Sequence, residues 1–295
     1  MTRRVRKAVL PVAGLGTRVL PGAKTTPKNL LNVVDRPILS YIVEEARAAG
    51  IEHFVFIVGR GQGAIEDYFD SSPEIEAILE AKGKVEILAD VRRDLPQPGQ
   101  MSFIRQMAPL GLGHAVWCAR DVIGDEPFAV MLPDMLMAAE PAALAQAVSA
   151  YDKVGGNIVV VEPAPEGEAH KYGIVALDGR DGRLNRMTGM VEKPAPGTEP
   201  SNLFISGRYI LQPEIFEILE TQERGAGGEI QLTDGMANLM KVQSFHALEY
   251  QGITYDCGDK IGLLRANVAF ALRRPDLADQ ARAAIQALLQ APAAG

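Results

Sequence analysis

The residues best suited to chemistry come early, in KAVLPVAGLGTRVLPGAKTTPK (7–28), where Gly14 and Gly16 precede Arg18, Lys24 and Lys28. Closely spaced glycines let backbone N–H groups approach an anion, and their turn can form an anion-binding nest. Arg18 offers a planar fork for phosphate, and Lys28 a point charge. Spacing excludes the two commonest phosphate loops. Val19 stands where a dinucleotide fingerprint needs its third small residue, and Pro21 and Pro27 oppose an immediate helix. Gly22-Ala23-Lys24-Thr25 separates Gly from Lys, so it is not a Walker A loop. Two readings remain: a phosphate loop of a different kind, or a solvated basic turn.

Other polar residues carry similar choices. Asp134 closes the apolar run FAVMLPD (128–134) and reads as a strand-end functional acid rather than a helix cap. Glu192-Lys193-Pro194, taken alone, fits a surface strand end. Asp256 and Asp259 flank Cys257-Gly258, and either can cap a helix starting near Lys260. His114 reads as a structural helix-start residue, with Trp117 and Cys118 as core. The four histidines are scattered, and the two cysteines form no CxxC pair. That argues against a zinc site and a disulfide framework, and a reducing cytoplasm is the expected setting.

The elements that must position these residues follow from periodicity. Lys7–Val12, 53–59 and 128–134 read as buried strands. Helices are predicted after Pro37 to Gly50, over Ala64–Phe69, about 73–93, and 112–122. LPQPGQ (95–100) reads as a turn-rich joint. The second half reads as β-rich, with strands at 157–163, 172–177, around 190–194 and at 204–211. Helices return at 213–221, at about 229–241, and from Lys260 to an alanine-rich end. Strand–helix alternation predicts an α/β fold, a Rossmann-like, mostly parallel mixed sheet flanked by helices, with ligands at the carboxyl ends of its strands.

Composition sets outer bounds. The chain has 295 residues, 47% hydrophobic and 23% charged, enough for a sizeable core. A formal net charge of −7 argues against a nucleic-acid surface and makes a cation-rich loop conspicuous, favouring the phosphate reading. The apolar run behind TRRVRK is too short for a signal or membrane segment, so no membrane partner is expected.

GLGTRVLPGAKTTPK with VDRPI, RQ…GLGHA (105–115), LPD (132–134), YGIV (172–175), VEKP (191–194), GGEIQLTD (227–234) and YDCGDK (255–260) occur in order along nearly the whole chain. This set resembles the sugar-1-phosphate nucleotidyltransferase family, and within it the members that transfer uridylyl groups. The resemblance implies transfer from UTP to glucose 1-phosphate, giving UDP-glucose and pyrophosphate, with Mg²⁺ as cofactor. A phosphate monoester is already an anionic nucleophile, so such a site needs cations and a metal rather than a general base.

By the same resemblance, Ala13, Gly14, Gly16 and Thr17 contact the nucleotide. Arg18 holds the departing phosphates, and Lys28 bridges near the reacting centre. Gln106 and Gly113 read the uracil edge, and Asp134 and Asp256 hold the metal, leaving Asp259 to the cap. Gly173, Glu192 and Lys193 grip the sugar phosphate. The resemblance also implies one domain over 1–295, with 1–140 mainly nucleotide-binding, 141–260 mainly sugar-phosphate-binding and 261–295 as C-terminal helices. A homodimer or homotetramer is expected.

The chain departs from the family pattern at Asn29, Asn32 and Met135, where Glu, Pro and a second acid are usual. Asn29 is expected to alter contacts beside the phosphate lysine. The rivals are a transferase making dTDP- or ADP-sugars, a glycosyltransferase, whose usual D-x-D motif is missing from Leu132–Leu136, and a non-catalytic regulatory protein of the same fold.

Overall fold

The computed structural model describes residues 2–290. In the first half, apolar runs form strands and proline or glycine marks the helix limits. β1 (Lys7–Pro11) leads through two 3₁₀ turns to a small ribbon, β2 (Asn32–Val33) and β3 (Arg36–Pro37). α1 (Ile38–Ala48) starts directly after Pro37 and stops at Gly50, whose φ of 85° suits only glycine well. Then come β4 (His53–Val58), α2 (Gly63–Tyr68), α3 (Pro73–Ala81), α4 (Val85–Arg92), β5 (Met101–Arg105), α5 (Leu112–Trp117), α6 (Arg120–Ile123), β6 (Phe128–Met131), β7 (Met135–Ala138) and α7 (Ala143–Val154). The second half holds β8 (Asn157–Pro163), β9 (Gly173–Leu177), β10 (Leu184–Glu192), β11 (Leu203–Leu211), α8 (Ile215–Thr221), α9 (Leu232–Leu239), β12 (Phe245–Glu249), β13 (Ile253–Asp256), α10 (Lys260–Arg273) and α11 (Ala278–Gln290).

Several expectations change in detail. The helix predicted over 73–93 breaks at Gly83, which takes a φ of 61°. The helix predicted over 112–122 divides between α5 and α6. Strand β5 was not legible: it is half-buried, so its sequence lacks the apolar run of a central strand. The C-terminal expectation is met as two helices as far as Gln290, and residues 291–295 lie outside the described ones.

The main sheet has nine strands in the order β5-β4-β1-β6-β11-β8-β12-β10-β9. β5, β4, β1 and β6 run parallel, as the alternation predicted. β11 enters antiparallel between β6 and β8, and β10 pairs antiparallel with both β9 and β12. Strand alternation sends Ala8, Leu10, Phe54 and Phe56 to one face, and Val9, Val55 and Ile57 to the other. α1 and α7 cover the first face, and α5, α8 and α9 the second. Because both faces are buried, these strands read as continuous apolar runs.

Phe128 is fully buried and stacks on Phe216 with ring centroids 5.0 Å apart. Phe128→Ala should therefore lower the unfolding free energy by about 3–5 kcal/mol, read from urea melts.

Candidate active site

The opening loop folds back upon one of its own lysines. The Val12 N–H donates to Ile57 O (3.0 Å), which carries β1 out to a half-buried Ala13 at the carboxyl end of the sheet. At Gly16 (φ 65°), a Cβ would lie 3.0 Å from Lys28 Cβ; at Gly14, one would lie 3.5 Å from Lys28 Cε. Gly16 thus lets the loop run along the Lys28 stem, while Gly14 lies at ordinary contact distance from its end. Thr17 is exposed and opens the turn that carries Arg18. Lys24 is exposed and pairs with no acid among the described residues.

The loop's two other cations meet the two acids singled out in the sequence. Lys28 Nζ lies 2.5 Å from Asp134 Oδ2. Arg18 reaches Asp256 Oδ2 at 3.0 Å and Asp134 Oδ2 at 3.8 Å. The acids, far apart in sequence, are joined because β13 pairs antiparallel with β7, setting Asp256 opposite Met135. The Cys257 N–H then donates to Asp134 O (2.8 Å). A Cβ at Gly258 would sit 2.8 Å from Asp256 Oδ1, 2.9 Å from Asp134 Oδ2, and in collision with the Arg18 guanidinium. Only glycine leaves that meeting point open. Asp259 caps α10, accepting from the Gly262 N–H at 2.7 Å, as expected.

Burial works to raise the Asp134 pKa, but the Lys28 charge and hydrogen bond, helped by Arg18, hold the carboxyl below its usual range. What holds the Asp134 turn itself was missed from sequence. Arg208 on β11 is fully buried and forms a two-pronged pair with Glu45 of α1, at 3.0 and 2.7 Å. Its remaining N–H groups donate to Leu132 O (3.0 Å) and Met135 O (2.8 Å), one on each side of Asp134. Gly207, with φ 88°, brings β11 so near Leu132 that a Cβ would lie 2.9 Å from that side chain. The available signal was an arginine inside the apolar strand LFISGRYIL.

A second cluster gathers Gly173, Glu192 and Lys193 where β9 and β10 pair, Glu192 opposite Gly173. Glu192 accepts from the Thr233 hydroxyl at 2.8 Å, and a Cβ at Gly173 would lie 3.0 Å from Glu192 Oε2. Thr233 was not singled out in the sequence, although its GGEIQLTD motif was. Lys193 is exposed with φ 48°, a strained backbone for a non-glycine residue at a strand end. A cavity of about 300 Å³ adjoins Asp256, lined by residues including Glu162, Tyr172 and Arg265.

Three expectations meet a different outcome. Gly113 does not offer its N–H to a base, since it donates to Ile230 O at 2.8 Å. Its lack of a side chain serves packing, because a Cβ would lie 2.8 Å from that same oxygen. Asn29 does not line the phosphate loop: it is fully buried, and its amide donates to Val12 O at 3.3 Å. Gln106 is buried at the end of β5, and Trp117 and Cys118 are half-buried rather than core.

A family model described as Nucleotidyl transferase matches residues 7–271. The chain is 48% identical to a UTP–glucose-1-phosphate uridylyltransferase of Bacillus subtilis, over 94% of this chain and 95% of that one. It is 41% identical to the enzyme of the same name from Staphylococcus epidermidis, over 97% and 99%. Among solved structures, a UTP-bound UGPase from Acinetobacter baumannii superposes with a TM-score of 0.89 at 40% identity, covering 98% of this chain and all of that one. A UDP-glucose pyrophosphorylase complexed with UDP-glucose superposes at 0.81 and 38% identity, covering 92% and 100%.

Arg208→Met should cost about 3–5 kcal/mol of stability, because Glu45 is left charged and buried, and urea unfolding measures it. Asp134 makes a pH prediction. Its depressed pKa contributes stability above about pH 4 that is lost as pH falls through the folded value. Lys28→Met leaves burial as the main influence, so the Asp134 pKa should rise and that variant should lose stability relative to wild type as pH rises above about 4. Parallel stability profiles for the two proteins would contradict this assignment.

Proposed function

We infer that this chain, which belongs to the nucleotidyl transferase family, transfers the uridylyl group of UTP to α-D-glucose 1-phosphate. A phosphate oxygen of the sugar phosphate attacks the α-phosphorus of UTP, the bond to the bridging β-phosphate oxygen breaks, and pyrophosphate leaves. The products are UDP-glucose and pyrophosphate. The observation that carries this reading is the meeting of Arg18, Lys28, Asp134 and Asp256, drawn from three segments, around the open point at Gly258.

The donor set fits a divalent cation, in our reading Mg²⁺. One oxygen from each of Asp134 and Asp256 faces the same point, both hard donors of the kind Mg²⁺ takes. No cluster of three metal-ligating side chains occurs among the described residues, so phosphate oxygens and water would complete the shell. Bound there, the metal would supply Lewis-acid stabilisation of charge on the phosphates.

The protein's own residues do the rest. Arg18 and Lys28, released from the carboxylates, turn to the triphosphate: Arg18 to the departing pair of phosphates, Lys28 to the reacting centre. Ala13, Gly14, Gly16 and Thr17 form the nucleotide wall, and Gln106 reads the base. Glu192, oriented by Thr233, accepts from sugar hydroxyls beside Gly173. Lys193, exposed with its Nζ 3.8 Å from Glu192 Oε1, neutralises the attacking phosphate. Arg18, Lys28 and Lys193 beside two anionic substrates offset the repulsion that otherwise keeps the nucleophile away.

No described helix is long and apolar enough to cross a membrane, and our reading places the enzyme in the cytoplasm. We also read it as a dimer or tetramer, since α11 buries no residue and exposes Leu288 and Leu289.

Pyrophosphate release with glucose 1-phosphate should be fastest with UTP among UTP, dTTP, ATP and CTP, and should require Mg²⁺. Asp256→Asn should cut turnover at least a hundredfold, about 2.7 kcal/mol of transition-state stabilisation. No release with any nucleotide would sink the enzyme reading, and a dTTP preference would move the chain to the thymidylyl-transferring relatives.

A further inference from the structure

Gln106, placed above at the base, has one end of its side chain fully committed. Its backbone N–H donates to Val58 O (2.9 Å), which seats it just past β5 at the same carboxyl end of the sheet as the opening loop. Its Nε2 lies 3.2 Å from Gly111 O and 2.9 Å from His114 Nδ1. A backbone carbonyl can only accept, so the end facing Gly111 must be the NH₂ group. Its second proton then points at His114 Nδ1. That nitrogen therefore accepts, and the imidazole is neutral with its own proton on Nε2.

The surroundings of His114 favour that form. Burial holds its pKa below the usual imidazole value. Its ring stacks on Trp117, with centroids 5.8 Å apart, and the Cys118 thiol stands 3.9 Å from the same Nδ1. With both NH₂ protons engaged, Gln106 has only Oε1 left to offer, and among the described residues that oxygen takes no hydrogen bond.

We propose that His114 is a positioning residue for base selection: by accepting from Gln106 it holds the Oε1 carbonyl toward the base, favouring one with a hydrogen on its ring N3. Uracil has that hydrogen. Cytosine presents a lone pair at N3, so carbonyl and base repel and two acceptors are left unmatched. Without the His114 acceptor the amide can turn over and present NH₂, which suits cytosine. Gly111 O then resists the turn alone. Thymine also carries N3–H, so this device separates uracil from cytosine and not from thymine. The inference rests on the nucleotide-binding reading given above.

The test uses equilibrium affinities, so that it does not depend on turnover. UTP and CTP are titrated calorimetrically into wild type, His114→Phe and His114→Asn. Phe keeps a ring against Trp117 without an acceptor, and Asn restores an acceptor near Nδ1. His114→Phe should lower the UTP-over-CTP affinity ratio about three- to tenfold, the equivalent of one net hydrogen bond. His114→Asn should recover most of the ratio, and melting temperature and the KM for glucose 1-phosphate should stay put. His114→Leu serves in place of Phe if the larger ring does not pack.

A ratio unchanged within twofold in a folded acceptor-free variant overturns the proposal. So does an equal weakening toward both nucleotides that Asn fails to reverse, which is the mark of a structural role. Wild type that binds UTP over CTP but releases no pyrophosphate would overturn the proposed reaction while leaving the role of His114 in place.

Discussion

Arg208 is the fixed point of the molecule. A fully buried guanidinium is costly to desolvate, and the expense is offset only when every N–H finds a partner. Here Glu45 takes two prongs, and the backbone carbonyls of Leu132, Met135 and Gly207 take the rest. Glu45 in turn accepts from the Leu144 N–H at 3.0 Å, tying in α7. One side chain therefore locks β11, α1 and α7 to the turn that presents Asp134. An apolar residue could fill that space, but it could not fix where the turn points.

From that turn the charges of the crevice follow. Asp134 is held in place by backbone bonds, and its burial would push it toward the neutral acid if it stood alone. Lys28 and Arg18 keep it ionised. The arrangement has a physical logic for chemistry between two anions. A metal and a triphosphate bring charges of both signs, so carboxylates and cations can exchange partners without leaving a buried charge uncompensated. The glycines at 16 and 258 serve the same end, as each leaves room where a Cβ would press on a charged residue's side chain. The strain at Lys193 sits at the other edge of the crevice, where a regular strand geometry would aim its side chain elsewhere.

The departures from the family pattern take on a different meaning in this frame. Asn29 faces the backbone of β1 instead of solvent, and its Oδ1 has no partner among the described residues. An asparagine there is a matter of core hydrogen bonding beneath the loop. Met135 contributes through its backbone carbonyl, which any residue would supply to Arg208. Asn32 is exposed on the β2–β3 ribbon, away from the paired charges.

Much of this was legible in the residues alone. Apolar runs with period two or 3.6 located most central strands and helices, since burial on both faces leaves an unmistakable run. The glycine–lysine loop and Asp134 were readable because glycine spacing and strand-end acids are local chemistry, whereas the choice between Asp256 and Asp259, either of which could cap α10, came only from the family resemblance. Tertiary structure alone decided the rest. The antiparallel entry of β11, the meeting of Asp134 with Asp256 through β7 and β13, and the grip of Thr233 on Glu192 join residues with no sequence relation. Gly113 and His114 sit side by side in one motif, yet their roles depend on Ile230 and Gln106, which only the fold brings near. Sequence determines which groups are available and their local backbone habits; hydrogen-bond partners far along the chain determine which atom of each group is left to act.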